Sequence, residues 1–417
     1  MVESAFIKPD HILNILVLNA HWHNRGDEAA IRAMIDSILS MSPTTRIRIM
    51  LASASGLSTI DDAKIIQSYP TGMLDNIDSL VTLLARGKLS FTARGRAFLK
   101  ALGEADAVIH APGGPSIGDI YGNGIIGYQY LYRLLLARAA LGKFVFFYAP
   151  SMGPFNNRIF NLARRYLLSR VGTIVVRDEI SAQYLKMQLG LDAIVTADAA
   201  LQNSIPDSYL MRFPEASALT RLLKEERVIG VTATSLGWHP LHASNAGLKD
   251  RIMRSLSESI THLTNSGYRI LLLPQLFGEQ TDLPLLEELK KLNPERIDIL
   301  HPNIDAYGQQ VVISKLFFLI GMRYHSAIFA AKAGTPFISI SYEHKSEAFV
   351  RMLGLNEICI DVNDISSEEI LQKCSYIEKN YDAVKTRLSQ QAAELRAHAL
   401  VTVKILADAM MLGHSVK

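Results

Sequence analysis

Short continuous apolar runs alternate with segments of helical period along most of this chain, and the two patterns together predict its elements. Ile12 to Asn19 is almost wholly apolar and reads as a buried strand. Ala29 to Met41 repeats its apolar positions at helical spacing with Asp27 placed to cap it, and Arg46 to Ala52 returns as strand, which makes a βαβ unit. Looser versions follow at Ala107 to Ala111, Lys143 to Ala149 and Thr173 to Val176, each an apolar run ending in a glycine-rich or charged turn. Glu179 to Leu189 reads as a helix stopped by Gly190, and Ala193 to Ala197 as the last strand of this half. The alternation then restarts. Strands are expected at Val228 to Thr234, Tyr268 to Pro274, Ile297 to Leu300, Leu316 to Gly321 and Pro336 to Tyr342. Helices are expected at Lys249 to Asn265, Leu283 to Leu292 and Ser326 to Lys332, the last stopped by Gly334. Helices between strands call for parallel sheets. The pattern therefore predicts an α/β fold of two doubly wound, Rossmann-like parallel-sheet domains facing across a cleft: residues 1–205, a proline-bearing linker over 206–226, and residues 227–417 with a charged helical tail over 365–412.

Composition narrows the function classes more than the fold. With 417 residues, 49% hydrophobic and 20% charged, the chain has material for two ordinary cores. A net charge of +3, with no long basic runs interleaved with aromatics, argues against nucleic acid as a partner. Cys359 and Cys374 have no metal-ligand spacing and make no disulfide framework, which suits a reducing compartment. Met1 to Asp10 lacks a basic start followed by an apolar core, and no apolar run approaches the roughly 18 residues of a spanning helix. A soluble, cytoplasmic protein is expected. Leu84 to Leu102 carries Arg86, Lys88, Arg94, Arg96 and Lys100 among Leu89, Phe91, Phe98 and Leu99. It fits a solvated segment with snorkelling cations, or a basic amphipathic stretch in peripheral contact with an anionic membrane at its inner face.

Candidate chemistry gathers where strands end. Arg323 and His325 stand just past an apolar strand and at the start of a helix, where open parallel sheets bind ligands and the helix dipole favours an anion. Arg323 offers a planar cationic fork, His325 exchanges protons near neutral pH, and Lys345 follows the next strand as a second cation. The expected ligand carries phosphate or carboxylate. Four loops of the first half have similar placement. Asn24 and Asp27 lie in the first, where Asp27 and Glu28 fall in a helix's opening turn and where His21 and His23 lack a metal-ligand set. Gly113, Gly114, Gly118 and Asp119 lie in the second, Met152-Gly153-Pro154 in the third, and Arg177 with Asp178 in the fourth. Arg177 fits equally a ligand carboxylate or an ion pair with its neighbours Asp178 and Glu179.

In this order the segments resemble the polysaccharide pyruvyl transferase family. Asn24-Arg25-Gly26-Asp27-Glu28-Ala29 is similar to its early N-x-G-D block, Gly113-Gly114 with Gly118-Asp119 to its glycine turn, and Met152-Gly153-Pro154 to its G-P turn. Arg177-Asp178 with Ser181, then Ala197-Asp198, match its R-D-x-x-S and A-D elements. Pro274-Gln275 with Asp282, Gly321-Met322-Arg323-Tyr324-His325, and Ser341-Tyr342 with Lys345 resemble the remaining blocks. The resemblance implies a GT-B-like fold and transfer of pyruvyl from phosphoenolpyruvate to hydroxyls of a sugar or lipid-linked glycan, with formation of a ketal and release of phosphate. No metal is expected, because neither the histidines nor the cysteines have a ligand set, and no cofactor beyond the donor substrate. By the resemblance, Arg323 and His325 would be donor-binding and catalytic with Arg177 a second donor contact, while the residues themselves suggest Lys345 as a further donor contact, Asp27 or Asp119 as a second proton carrier, and Asn24, Gly114 and Asp119 as the acceptor side. One block departs from the family, with Thr234-Ser235-Leu236-Gly237-Trp238-His239 standing where similar sequences often carry arginine and His239 the candidate substitute. Two rival readings share the plan: a GT-B-type glycosyltransferase or nucleotide-sugar epimerase, and a non-catalytic glycan-binding member.

Overall fold

The computed structural model describes residues 13–51, 63–66, 73–114, 117–120, 124–225, 227–237, 239, 242–243, 245–278 and 281–414. Met1 to Asp10, Pro115 and Ser116 of the glycine-rich loop, and Trp238 lie outside the described residues. Contacts divide the chain into two units, Met1–Trp22 with Asp27–Asn203 and Arg396–Lys417, and His23–Gly26 with Ser204–Leu395.

In the first unit the chain runs β1 (Asn14–Ala20), α1 (Arg25–Met41), β2 (Arg46–Leu51), β3 (Ala63–Ile66), α2 (Met73–Leu84), α3 (Ala93–Gly103), β4 (Ala107–His110), α4 (Gly124–Leu135), β5 (Phe144–Phe147), α5 (Arg158–Leu168), β6 (Val175–Val176), α6 (Glu179–Tyr184) and β7 (Ile194–Val195). Five strands form a parallel sheet in the order β3-β2-β1-β4-β5, and β6 and β7 pair separately. Ile15 to Leu18 and Ala107 to Ile109 are fully buried because helices cover both faces, which is why these strands read as unbroken apolar runs.

The second unit continues with α7 (Ala216–Glu225), β8 (Val228–Thr232), α8 (Ala246–Asn265), β9 (Arg269–Leu272), α9 (Leu283–Lys290), β10 (Ile297–Ile299), α10 (Ala306–Ile313), β11 (Phe318–Gly321), α11 (Tyr324–Ala333), β12 (Phe337–Ser341), α12 (His344–Met352), β13 (Cys359–Asp361), α13 (Ser367–Lys379) and α14 (Tyr381–His414). Its sheet is parallel throughout with order β10-β9-β8-β11-β12-β13. That is the doubly wound order 3-2-1-4-5-6, and the direction of winding reverses between β8 and β11. In the first unit it reverses between β1 and β4. Ligands of such sheets bind beyond the strand ends at these reversals.

Several expectations need correction. Asp27 does not cap α1, because Asn24 accepts the Gly26 N–H at 2.8 Å and starts the helix three residues earlier, leaving Asp27 in the first turn. Residues 206–226 are no bare linker: a 3₁₀ stretch, Asp207–Arg212, and α7 occupy them, and the units divide at Ser204. The tail does not stay with the second half either, since Arg396 onward contacts the first unit, where Thr402 and Thr196 share a hydrogen bond of 2.8 Å. Leu84 to Leu102 is not one amphipathic stretch. α2 ends at Leu84, a turn follows, and Thr92 caps α3 by accepting the Gly95 N–H at 3.0 Å.

Candidate active site

In the second unit, Thr232 at the end of β8 sets the site. Its hydroxyl accepts the N–H groups of Met322 at 3.1 Å and Arg323 at 3.3 Å and lies 2.9 Å from the Ser326 hydroxyl. The first turn of α11 is thereby tied to the strand on the other side of the reversal. Arg323 stands at the N-cap in extended conformation and is buried. Its guanidinium pairs with Asp282, whose other oxygen accepts the N–H groups of Gln275 at 3.1 Å and Leu276 at 3.0 Å. Burial opposes the charge on Arg323, but Asp282 and the Tyr342 hydroxyl outweigh it and hold the guanidinium above its ordinary pKa. Burial and the neighbouring carboxylates of Glu343 and Asp282 raise Tyr342 despite the opposing pull of Arg323, so its phenol stays protonated. Arg323 is therefore not the bare anion fork expected from the sequence. Asp282 takes much of its charge.

The segment His23–Gly26 clusters with this unit although its neighbours in sequence do not. It runs beside the loop after β9, where Arg25 N–H donates to Gln275 O at 2.9 Å and Phe277 N–H to His23 O at 2.9 Å. The Arg25 guanidinium lies over the Phe277 ring at 4.5 Å and donates to Pro302 O at 2.6 Å. Asn24, expected on the acceptor side, uses its side chain to start the helix. Gly26 lies directly under His325, so close that a Cβ there would fall 1.9 Å from the imidazole Nδ1. The imidazole is 8% exposed and meets the Tyr324 ring edge-on at 5.2 Å.

A second charged group stands beyond β12. Lys345 lies in the first turn of α12, over the Tyr324 ring at 5.5 Å, and pairs with Glu343 at 2.7 Å. The other Glu343 oxygen is 3.0 Å from His239 Nε2, and His239 stacks with His242 at 4.9 Å. Burial works against the Glu343 carboxylate, yet Lys345 and His239 pull its pKa well below the ordinary value. His239, from the block that departs from the family pattern, thus joins the charge cluster of Lys345. Sequence reasoning missed Glu343, though a carboxylate two residues before a candidate cation is a signal for pairing.

The remaining sequence-selected residues lie in the first unit. Asp27 sits against Gly113, where a Cβ would fall 2.9 Å from its Oδ1 and where φ is +140°. Only glycine suits that close approach. Gly114 has nothing within 4 Å of where a Cβ would point. Arg177 is buried and pairs with Asp198 at 2.6 Å, not with Asp178 or Glu179, and its Nε donates to Ser151 at 2.8 Å. Asp178 instead caps α6 and accepts from Ser151 at 2.7 Å. Arg177, expected as a donor contact, here ties its own loop to those of Ser151 and Asp198. Asp119 is likewise no bare acceptor contact. Its carboxylate takes Arg164 at 2.6 Å and the N–H groups of Asn156 and Asn157, and these hold its pKa below the ordinary range against the cost of burial. His21, passed over as a metal ligand, lies 3.2 Å from the Tyr130 hydroxyl at this reversal.

Comparison with known proteins places these residues in a family. The profile described as polysaccharide pyruvyl transferase matches residues 24–344. The amylovoran biosynthesis protein AmsJ of Erwinia amylovora is 24% identical over 431 aligned residues, covering 95% of this chain and 98% of that protein. Among solved structures, the UDP-GlcNAc 2-epimerase of Neisseria meningitidis bound to UDP-GlcNAc superposes with a TM-score of 0.58 at 11% identity, over 96% of this chain and 99% of that one. A glycosyltransferase of Rickettsia africae gives 0.58 at 12% identity, over 96% and 99%. The fold is that shared by GT-B glycosyltransferases and these epimerases.

Proposed function

The chain belongs to the polysaccharide pyruvyl transferase family, and from that premise we propose that it transfers pyruvyl from phosphoenolpyruvate to two hydroxyls of a sugar in polysaccharide biosynthesis, forming a ketal and releasing phosphate. The observation that carries this reading is the junction of β11 and α11 at the winding reversal, with His325 seated on Gly26 and a cluster of charges beside it. The reaction needs a proton delivered to C3 of the donor, which leaves C2 cationic and open to a sugar hydroxyl. Departure of phosphate regenerates the cation at C2, and a neighbouring hydroxyl closes the ring. Of the two hydroxyl protons lost, one balances the new methyl group and the other leaves with phosphate. His325 is the group suited to give and recover the proton, because an imidazole nitrogen can both donate and accept one and this ring is largely shielded from water. The α11 N-terminus and Lys345 favour the donor's negative charge. Arg323 acts through Asp282 and Tyr342 to fix the turn that carries His325. Asp27, beside the Gly113 turn of the first unit, remains the candidate for accepting a hydroxyl proton.

The test is a phosphate-release assay with phosphoenolpyruvate across lipid-linked and nucleotide-linked glycans. Acceptor-dependent release is expected, with a loss of about 10²- to 10⁴-fold in His325→Ala. Absence of release with every glycan, or full rate in His325→Ala, refutes the proposal. A rise in Tm with a nucleotide sugar and none with phosphoenolpyruvate would favour the nucleotide-sugar reading instead.

A further inference from the structure

Helix α2 is built inside out. At 100° per residue Met73, Ile77, Leu80 and Leu84 fall within about 60° of one another, and all four are exposed, from 47% to 81%. The opposite face carries Asp75, Asp78, Ser79 and Thr82, and it is this polar face that is buried. Hydrogen bonds hold it there: the Ser79 hydroxyl lies 2.8 Å from that of Tyr128, and Gln129 Nε2 donates to Asn76 Oδ1 at 2.9 Å, both partners lying on α4. The apolar stripe is therefore not a core face left over by chance. Water contacts it while polar groups fill the interior side, which is the reverse of an ordinary surface helix.

The following turn extends the stripe. Asp78 accepts the Ser90 hydroxyl at 2.7 Å, the Phe91 N–H at 2.7 Å and the Thr92 hydroxyl at 2.8 Å, and these bonds hold its carboxylate below the ordinary pKa against partial burial. Leu89 and Phe91 are exposed on the turn so fixed. The residues from Met73 to Gly103 carry five cations, Arg86, Lys88, Arg94, Arg96 and Lys100, all exposed, against two carboxylates, Asp75 and Asp78, both buried. The surface thus combines an apolar stripe with a net excess of positive charge: Asp78 is turned inward, and Asp75 offsets one cation by pairing with Arg94 at 3.2 Å.

We propose that the outer face of α2, with the turn through Phe91 and the first turns of α3, is a docking surface for an anionic lipid membrane. Apolar side chains entering the acyl boundary with cations at headgroup level are what such a surface requires. A protein partner fits less well, since protein interfaces are depleted in lysine and this face exposes Lys88 and Lys100 beside its apolar stripe. Among the described residues no helix is long and apolar enough to cross a membrane, so the contact is peripheral. The proposal is independent of the pyruvyl-transfer reading.

The experiment is flotation of the full chain with vesicles of phosphatidylcholine alone and with added phosphatidylglycerol, paired with light scattering. Binding to the anionic vesicles only is expected, falling about fivefold for each cation removed by Arg94→Gln or Arg96→Gln and abolished by Leu80→Glu with Leu84→Glu. Those positions are solvent-exposed, and an unchanged Tm verifies that the variants fold. Three results overturn the proposal: no flotation on anionic vesicles, flotation equal on both compositions, or binding indifferent to the substitutions. A dimer that Leu84→Glu makes monomeric, without flotation, would reassign the stripe to a second copy of the chain.

Discussion

Gly26→Ala is the smallest change that tests the seat of His325. The added methyl would lie 1.9 Å from Nδ1, 2.0 Å from Cγ and 2.5 Å from Cβ of the histidine, whereas ordinary contact begins at 3.4 Å. The ring must retreat by the difference, about 1.5 Å. A rotamer change does not suffice, because the histidine Cβ is itself too close, so the first turn of α11 or the loop carrying residue 26 must move. Overpacking of this kind costs about 1–3 kcal/mol, and misplacing a catalytic group by about 1 Å costs on the order of 10²-fold in rate. The expected outcome is a Tm lowered by several degrees and a fall of about 100-fold in kcat/KM for phosphate release. In a His325→Ala background the same substitution should lower Tm less, since two of the three clashing atoms are gone. Unchanged kcat/KM and Tm in Gly26→Ala would refute the placement of the imidazole on this glycine.

Glu343 is held below its ordinary pKa of 4.5, so it contributes stability that is fully present above that value and lost as pH falls toward the folded one. Acid unfolding of Glu343→Gln should accordingly show a shallower loss of Tm below pH 4.5 than the unaltered chain. Burial pushes His110 from 6.5 down to about 4, so its contribution is complete above pH 6.5 and declines as pH falls to about 4. His110→Gln should flatten the pH dependence of urea midpoints across that window, and an unaltered slope would count against the buried neutral imidazole. Asp198→Ala leaves the Arg177 guanidinium buried without its carboxylate and should cost about 3–5 kcal/mol in urea unfolding. Lys345→Ala should raise the KM for phosphoenolpyruvate about tenfold and, by taking from Glu343 the cation that holds its carboxylate ionised, also lower Tm.

Buried strands were legible because helices cover both faces of each sheet, so β1, β8 and β11 appear in sequence as continuous apolar runs. Gly334 marks the end of α11 for an equally local reason: its φ of +69° suits a left-handed cap. The face that α2 buries was not legible, since an apolar stripe at helical spacing does not state which side meets the interior. β3, an edge strand whose run Ala63–Ile66 is broken by Lys64, gives no continuous apolar signal. Partnerships were hidden by separation along the chain. Arg177 passes over its neighbours Asp178 and Glu179 to reach Asp198, and Arg323 reaches back to Asp282. The family blocks located these residues, but only the fold shows that four of the blocks are ion-pair partners two by two.

That pairing bears on where a negatively charged donor can act. The side chains of Arg323 and Asp282 are 6% and 2% exposed, and Asp282 is bonded further to two backbone N–H groups, so exchanging this carboxylate for a ligand would strand a buried charge. Lys345 and Glu343 are 21% and 16% exposed, and the ammonium sits on a flexible stem. A phosphate can take up that ammonium while Glu343 keeps His239, at far lower cost. The two cations therefore differ in kind. On the proposed function, Arg323 serves to hold the β11–α11 turn and Lys345 is the better placed of the two to change partners for the donor's charge.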